Sequence, residues 1–240
     1  MKITRAISLA VFLWGTSLFA QFDVGLVLPF ENNSRDPKLD WIGESFVEVL
    51  SSDLASARFM MLDRRQRTAA FDSLGIPNSS ILSEASVYKV AQTVDASKLI
   101  LGHYDYSNGV FKASVRVLDM DGPRLSKEFT ESGPFQNLIA LQAGLAWQIR
   151  QFLRPDLAFS KSDFIAEHRG PGLDAFENYL RGLVSKNRAD QIRYLRAALR
   201  LDPQFAKPAF DLGMIYFHDR DYPTSALWLS KLHRGDEDYL

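Results

Sequence analysis

Lys98-Leu99-Ile100-Leu101-Gly102-His103-Tyr104-Asp105-Tyr106-Ser107-Asn108-Gly109-Val110-Phe111-Lys112-Ala113-Ser114-Val115-Arg116-Val117-Leu118 decides the fold. In its second half Ala113, Val115 and Val117 alternate with Lys112, Ser114 and Arg116. That period of two belongs to a strand with one apolar and one wet face. Between the halves stands Asn108-Gly109, the step that most readily takes the positive φ angles of a tight hairpin turn. Residues 98–106 and 110–118 are therefore predicted to pair as antiparallel strands.

Working outward, residues 22–30 read as a buried first strand that Pro29 ends. Residues 31–38 form a polar loop with turn chemistry. Asp40 is expected to cap a helix reaching about Ala55, with Ile42, Phe46, Val49, Leu50 and Leu54 on one face. Residues 59–62 make a short strand. Asp63 then caps a helix to Leu74 that Gly75 and Pro77 stop, and residues 83–93 make another. Downstream, Asp121-Gly122 turns the chain into a strand at 125–129. Gly133-Pro134 opens a helix along Leu138, Leu141, Leu145, Ile149 and Phe152. Early β-α-β-α units followed by a meander give an α/β class, a mixed sheet with flanking helices, over residues 22–153.

Several of these stretches resemble one family. Val27-Leu28-Pro29-Phe30-Glu31-Asn32, the helix from Trp41-Ile42-Gly43, Ala96-Ser97-Lys98-Leu99-Ile100-Leu101-Gly102, Val115-Arg116-Val117-Leu118-Asp119 and Leu141-Gln142-Ala143-Gly144 occur in the order found in the TolB amino-terminal-like domain. The resemblance covers residues 22–153. It implies binding or assembly in the bacterial envelope, and tetratricopeptide repeats after the domain.

Residues 154–172, with Gly170-Pro171-Gly172, read as a linker. Beyond it, over residues 173–240, the chain repeats. Leu195 and Leu229, Asp202 and Asp236, and Phe205 and Tyr239 share an offset of 34, the tetratricopeptide period. Ala209-x-x-Leu212-Gly213-x-x-Tyr216 fits the first-helix pattern, and Ser225 and Ala226 supply small residues for the second. Gly182 aligns with Gly213 only if three residues are missing between the helices of the earlier unit. About two units are expected. Gly235-Asp236-Glu237-Asp238-Tyr239-Leu240 either starts a further unit or is a solvated end.

The amino terminus reads as a secretory signal peptide, residues 1–20. Lys2 and Arg5 precede an apolar run from Ala6 to Ala20, and the chain turns polar at Gln21 and Asp23. The expected cut follows Ala20; an uncleaved anchor is the alternative. Cleavage there gives a periplasmic or exported location.

Composition narrows the function. Hydrophobic residues make up 46% and charged residues 24%, enough apolar material for a packed core. The formal charge of −1 gives no field that would draw nucleic acid. The chain has no cysteine, which excludes disulfides, thiolate metal sites, a cysteine nucleophile and a lipidated cysteine. There is no G-x-G-x-x-G, P-loop, G-x-S-x-G or H-E-x-x-H. His103, His168, His218 and His233 are scattered. His218 beside Asp219 and Asp221 reads as a solvated turn. Glu44 and Glu48 fall on the polar side of their helix as solvated charges, and Arg64, Arg65 and Arg67 as a charged helix face. No catalytic residue, metal or cofactor is expected.

What remains is binding. The first helix of each repeat lines the groove in which tetratricopeptide arrays dock peptides. Phe210, Asp211, Met214 and Phe217 are the candidate partner-binding residues, and the partner is expected to be an envelope protein. The polar loop 31–38 is the second candidate, since it follows a strand end. The competing reading is a small-molecule or glycan sensor whose α/β domain holds the ligand.

Overall fold

In the computed structural model the described residues are 22–34, 36–77, 81–122, 124–156 and 159–233. The expected signal peptide and the acidic carboxy-terminal residues lie outside them. Among the described residues no helix is long and apolar enough to cross a membrane.

The hairpin forms as the sequence predicts. Strands β4 (Lys98–Ser107) and β5 (Val110–Asp119) pair antiparallel along their whole length. Asn108 and Gly109 turn between them at φ 52° and 78°. β1 (Asp23–Val27) lies parallel to β4 on one side and to β3 (Phe59–Met61) on the other. Beyond β5 the sheet closes with two short partners, β6 (Arg124–Leu125) and β7 (Phe129–Pro134).

Pro29 interrupts the first strand instead of ending it. Val27 pairs with Ile100, and the chain resumes pairing as β2 (Glu31–Asn32), with Glu31 opposite His103. Four steps along the first strand thus match three along β4, the signature of a bulge, at a residue that has no N–H to give the ladder. The bulge turns Phe30 into the core. Two glycines make room for it: a Cβ at Gly102 would lie 2.3 Å from the Phe30 ring, and one at Gly43 2.5 Å from the Phe30 carbonyl oxygen.

One face of the sheet is covered by α1 (Trp41–Leu54) and α4 (Leu138–Leu153). Phe30 stacks on Phe46 at 4.0 Å, and Phe46, Tyr104 and Phe111 continue the stack. Each such ring contributes about 1.5–3 kcal/mol by leaving water. The opposite face is covered by α2 (Arg64–Ser73) and α3 (Glu84–Thr93), over Leu26, Leu28, Leu99 and Leu118. Asp63 caps α2 as expected and forms a capping box with Gln66. Asp40 does not cap α1. Its carboxylate instead accepts from Asn32 at 2.7 Å, while Asp36 caps the short 3-10 turn Pro37–Leu39. Gly133-Pro134 ends β7, and a 3-10 turn, Phe135–Asn137, leads into α4.

The stretch read as a linker carries a helix, α5 (Lys161–Glu167), whose Phe164 is buried and stacked on His168. Two helical hairpins follow: α6 (Leu173–Val184) with α7 (Arg188–Leu201), and α8 (Ala206–His218) with α9 (Tyr222–Leu229). In both, a glycine lets the helices approach. A Cβ at Gly182 would stand 3.1 Å from Leu195, and one at Gly213 2.5 Å from Leu229. The three-residue mismatch does not lie in the connections, which are 185–187 and 219–221. It lies in helix length: α8 runs nearly one turn further past its glycine than α6 does.

These hairpins are no separate body. Phe176, Tyr179, Leu180, Leu195, Ala198, Leu212 and Ile215 belong to the same buried cluster as Phe46 and Leu145. α6 packs on α1, and Arg181 donates to the Lys38 carbonyl at 3.0 Å.

Candidate functional site

In an open α/β sheet the usual ligand crevice lies where consecutive crossovers leave on opposite faces. Here that is the carboxyl end of β1 and β3, since α1 covers one face and α2 the other. The chain fills this crevice itself. Glu44, at the start of α1, accepts from Arg64 at 2.7 Å and from Arg67 at 2.5 Å. Glu44 is 7% exposed and Arg67 3%, so neither the carboxylate nor the arginine is the solvated charge its helix position suggested. Nothing in the helical period signals the pair, because its halves lie 20 or more residues apart.

A second charge cluster surrounds the buried Lys98. Its ammonium lies 2.9 Å from both Asp119 and Asp121 and 3.4 Å from Asp23. Burial opposes its charge, but the hydrogen bonds to Asp119 and Asp121 outweigh this and raise its pKa. Burial likewise opposes ionisation of Asp119, and the Lys98 bond overcomes it and lowers that pKa. The cluster pins the β4–β5 end to β1 and has the geometry of a structural clamp.

A cavity of about 250 Å³ lies at the junction of the α/β domain and the hairpins, lined by Glu48, Asp53, Ile139, His168, Phe176 and Lys207 among others. Burial pushes the Glu48 pKa up, Lys207 at 3.6 Å partly offsets this, and Glu44 adds to it. The grouping mixes acids and bases, and no cluster of histidines and carboxylates among the described residues is arranged to hold a metal.

The sequence-predicted binding residues share α8. Phe210, Met214 and Phe217 fall at i, i+4 and i+7, one stripe of the helix, on the side away from Leu212 and Ile215, which are buried in the core. Phe210, Asp211 and Met214 are half-buried. Phe217 is 50% exposed and meets Tyr222 of α9 edge-to-face at 5.7 Å. On α9, Tyr222 beside Phe217 is 56% exposed, so the stripe ends in an exposed aromatic pair at the hairpin tip; Leu227, 61% exposed, stands five residues further along α9 on its outer side. The earlier first helix is not available in the same way, because α6 turns Phe176, Tyr179 and Leu180 into the shared core. His218 ends α8, and Asp219 and Asp221 stand in the turn between α8 and α9. There Asp219 pairs with Arg188 at 2.6 Å and Asp221 caps α9.

The loop 31–38 is braced internally by Asn32, which donates to the Asp36 carbonyl and accepts from the Ser34 backbone. Its Glu31 reaches a feature that the sequence does not display. Where α3 stops covering the sheet, an apolar cleft of about 530 Å³ opens between Phe71, Leu82, Val87 and Tyr88 on one side and Leu28, Leu101, Leu118 and Leu125 on the other. Glu31 and Glu84 stand at its mouth. It runs on into a shallower depression along the bare sheet, past His103, Ser114, Arg116 and Glu128.

No protein-family model matches this chain, and no curated protein does. Among solved structures it is similar to the LpoB C-terminal domain from Escherichia coli, at 13% identity over 50% of this chain and 88% of that one, with a TM-score of 0.40. It is also similar to TolB from Acinetobacter baumannii, at 13% identity over 56% of this chain and 29% of that one, TM-score 0.39. Lipoprotein GNA1162 from Neisseria meningitidis is similar at 14% identity over 55% and 95%, TM-score 0.38. Likenesses of this extent say nothing of what this chain binds.

Proposed function

We propose that the chain is a non-enzymatic interaction protein of the bacterial envelope that binds a protein partner through its carboxy-terminal hairpins, read as tetratricopeptide-like units. The observation that carries this reading is the exposed aromatic pair of Phe217 and Tyr222 at the tip of the α8–α9 hairpin, with Leu227 also exposed on the outer side of α9. Large exposed apolar side chains on a packed helical pair favour burial against another surface. The shared core makes the hairpins an extension of the α/β domain, so these side chains are held in a fixed orientation. The export reading rests on the amino-terminal signal pattern, and the resemblance to TolB amino-terminal-like domains supports the envelope setting. The test is the double variant Phe217→Asp/Leu227→Asp, made in the full chain. It is expected to keep the wild-type melting temperature and lose the envelope protein that co-purifies with the wild type after crosslinking. Recovery of the same partner in the same yield would refute the reading.

The cleft favours a second reading, in which the α/β domain binds a ligand and the hairpins report its occupancy. A small molecule or glycan that raises the melting temperature in step with its concentration would support that reading, and it would do so equally in the Phe217→Asp/Leu227→Asp variant.

A further inference from the structure

The cleft beside α3 combines an apolar floor with an unbalanced acidic mouth. Leu28, Leu101, Leu118, Val87 and Tyr88 line the floor, and among the described residues no lysine or arginine lines this deeper part. Glu31 and Glu84 are both exposed at the rim. In the shallower continuation the one arginine, Arg116, is 3.5 Å from Glu128, so that pair adds no net charge. Volume decides what fits: about 530 Å³ holds several large side chains, within the ordinary range of ligand sites. Charge decides the sign. An anionic lipid headgroup would face two carboxylates, whereas a lysine or arginine would neutralise them. Shape decides the class. The cleft is continuous with the depression along the sheet through Glu31, Leu101, Gly102 and Leu125, an elongated track that suits a chain more than a compact molecule.

We infer that this cleft docks a short segment of a partner protein in which leucine-like side chains are flanked by lysine or arginine. The apolar side chains enter between Tyr88 and Leu101, and the basic ones pair with Glu31 and Glu84. The site is independent of the α8–α9 surface, so either can fail without the other.

The test is fluorescence anisotropy of the full chain with a fluorescein-labelled octapeptide that alternates lysine and leucine. Saturable binding is expected, weakened about tenfold by Glu31→Lys/Glu84→Lys at low salt and also weakened by Leu125→Asp. The glutamate–leucine counterpart should bind the charge-reversed variant better than the wild type. Should that variant melt early, Glu31→Gln/Glu84→Gln replaces it, with a smaller loss expected. Four results would overturn the inference: no saturable binding; equal binding by wild type and rim variants; equal binding of a lysine–serine peptide; or preference for phosphatidylglycerol vesicles over the peptide.

Discussion

Replacing Phe176 by alanine tests whether the hairpins and the α/β domain unfold together. Phe176 lies on α6, is 4% exposed, and meets Tyr179 and Phe205 at 6.4 Å each. Truncating a buried phenylalanine removes its transfer energy and leaves a cavity, about 3–5 kcal/mol together. In a domain of this size each kcal/mol moves the midpoint by about 2–4 °C, so the melting temperature should fall by roughly 6–20 °C. The tryptophans make the assay specific. Trp147 sits on α4 and Trp228 on α9, and both pack against the shared cluster. With Trp14 and Trp41 replaced by phenylalanine, variants that keep only Trp147 or only Trp228 report the two regions separately. A shared core predicts that Phe176→Ala lowers both transitions by the same amount. If the Trp228 transition moved and the Trp147 transition stayed in place, the hairpins would be a separate folding unit and the rigid-scaffold reasoning would fall.

Three further outcomes follow from the charge networks. Arg67→Met leaves Glu44 buried with Arg64 alone and should cost about 3–5 kcal/mol; chemical denaturation reads it, and a loss under 1 kcal/mol would show that the triad contributes little. Lys98→Met should change the pH profile of stability. The raised pKa of Lys98 contributes stability that is complete below its unfolded value of about 10.4 and is lost as pH rises through the folded value. The lowered pKa of Asp119 contributes stability present above about 3.9 and lost as pH falls through its folded value. Both slopes should flatten in the variant, as followed by melting from acid to alkaline pH. Glu48→Gln has the opposite sense for a carboxylate: its pKa is raised in the fold, so ionisation at neutral pH costs stability. The variant's melting temperature relative to wild type should therefore rise between pH 4 and pH 8, and a fall over that range would mean that the Lys207 pair dominates.

Local chemistry was readable in the sequence, and chemistry made at a distance was not. The Asn108-Gly109 turn, the Asp63 cap and the apolar faces of α1 and α4 each rest on residues a few positions apart, where backbone geometry enforces the period. Glu44 looked solvated because its arginines arrive from the next crossover. β2 was invisible because two residues carry no period, and its pairing depends on a bulge at Pro29. α5 hid in a polar stretch because one buried ring, Phe164, anchors it. The stripe on α8 was legible as a face of one helix. That α6 is covered by α1 was not, because it requires knowing how the two parts pack. The cleft is a space between α3 and the sheet and has no sequence of its own; only Glu31, in a loop already singled out, pointed toward it.

The most direct measurement of the central claim is photo-crosslinking in the intact envelope from a benzophenone amino acid placed at Leu227. A discrete protein adduct is expected at this position, absent when the probe replaces an exposed residue on α2 such as Asp72, and lost when Phe217→Asp is added. Adducts of equal intensity from both positions, or none from Leu227, would contradict it.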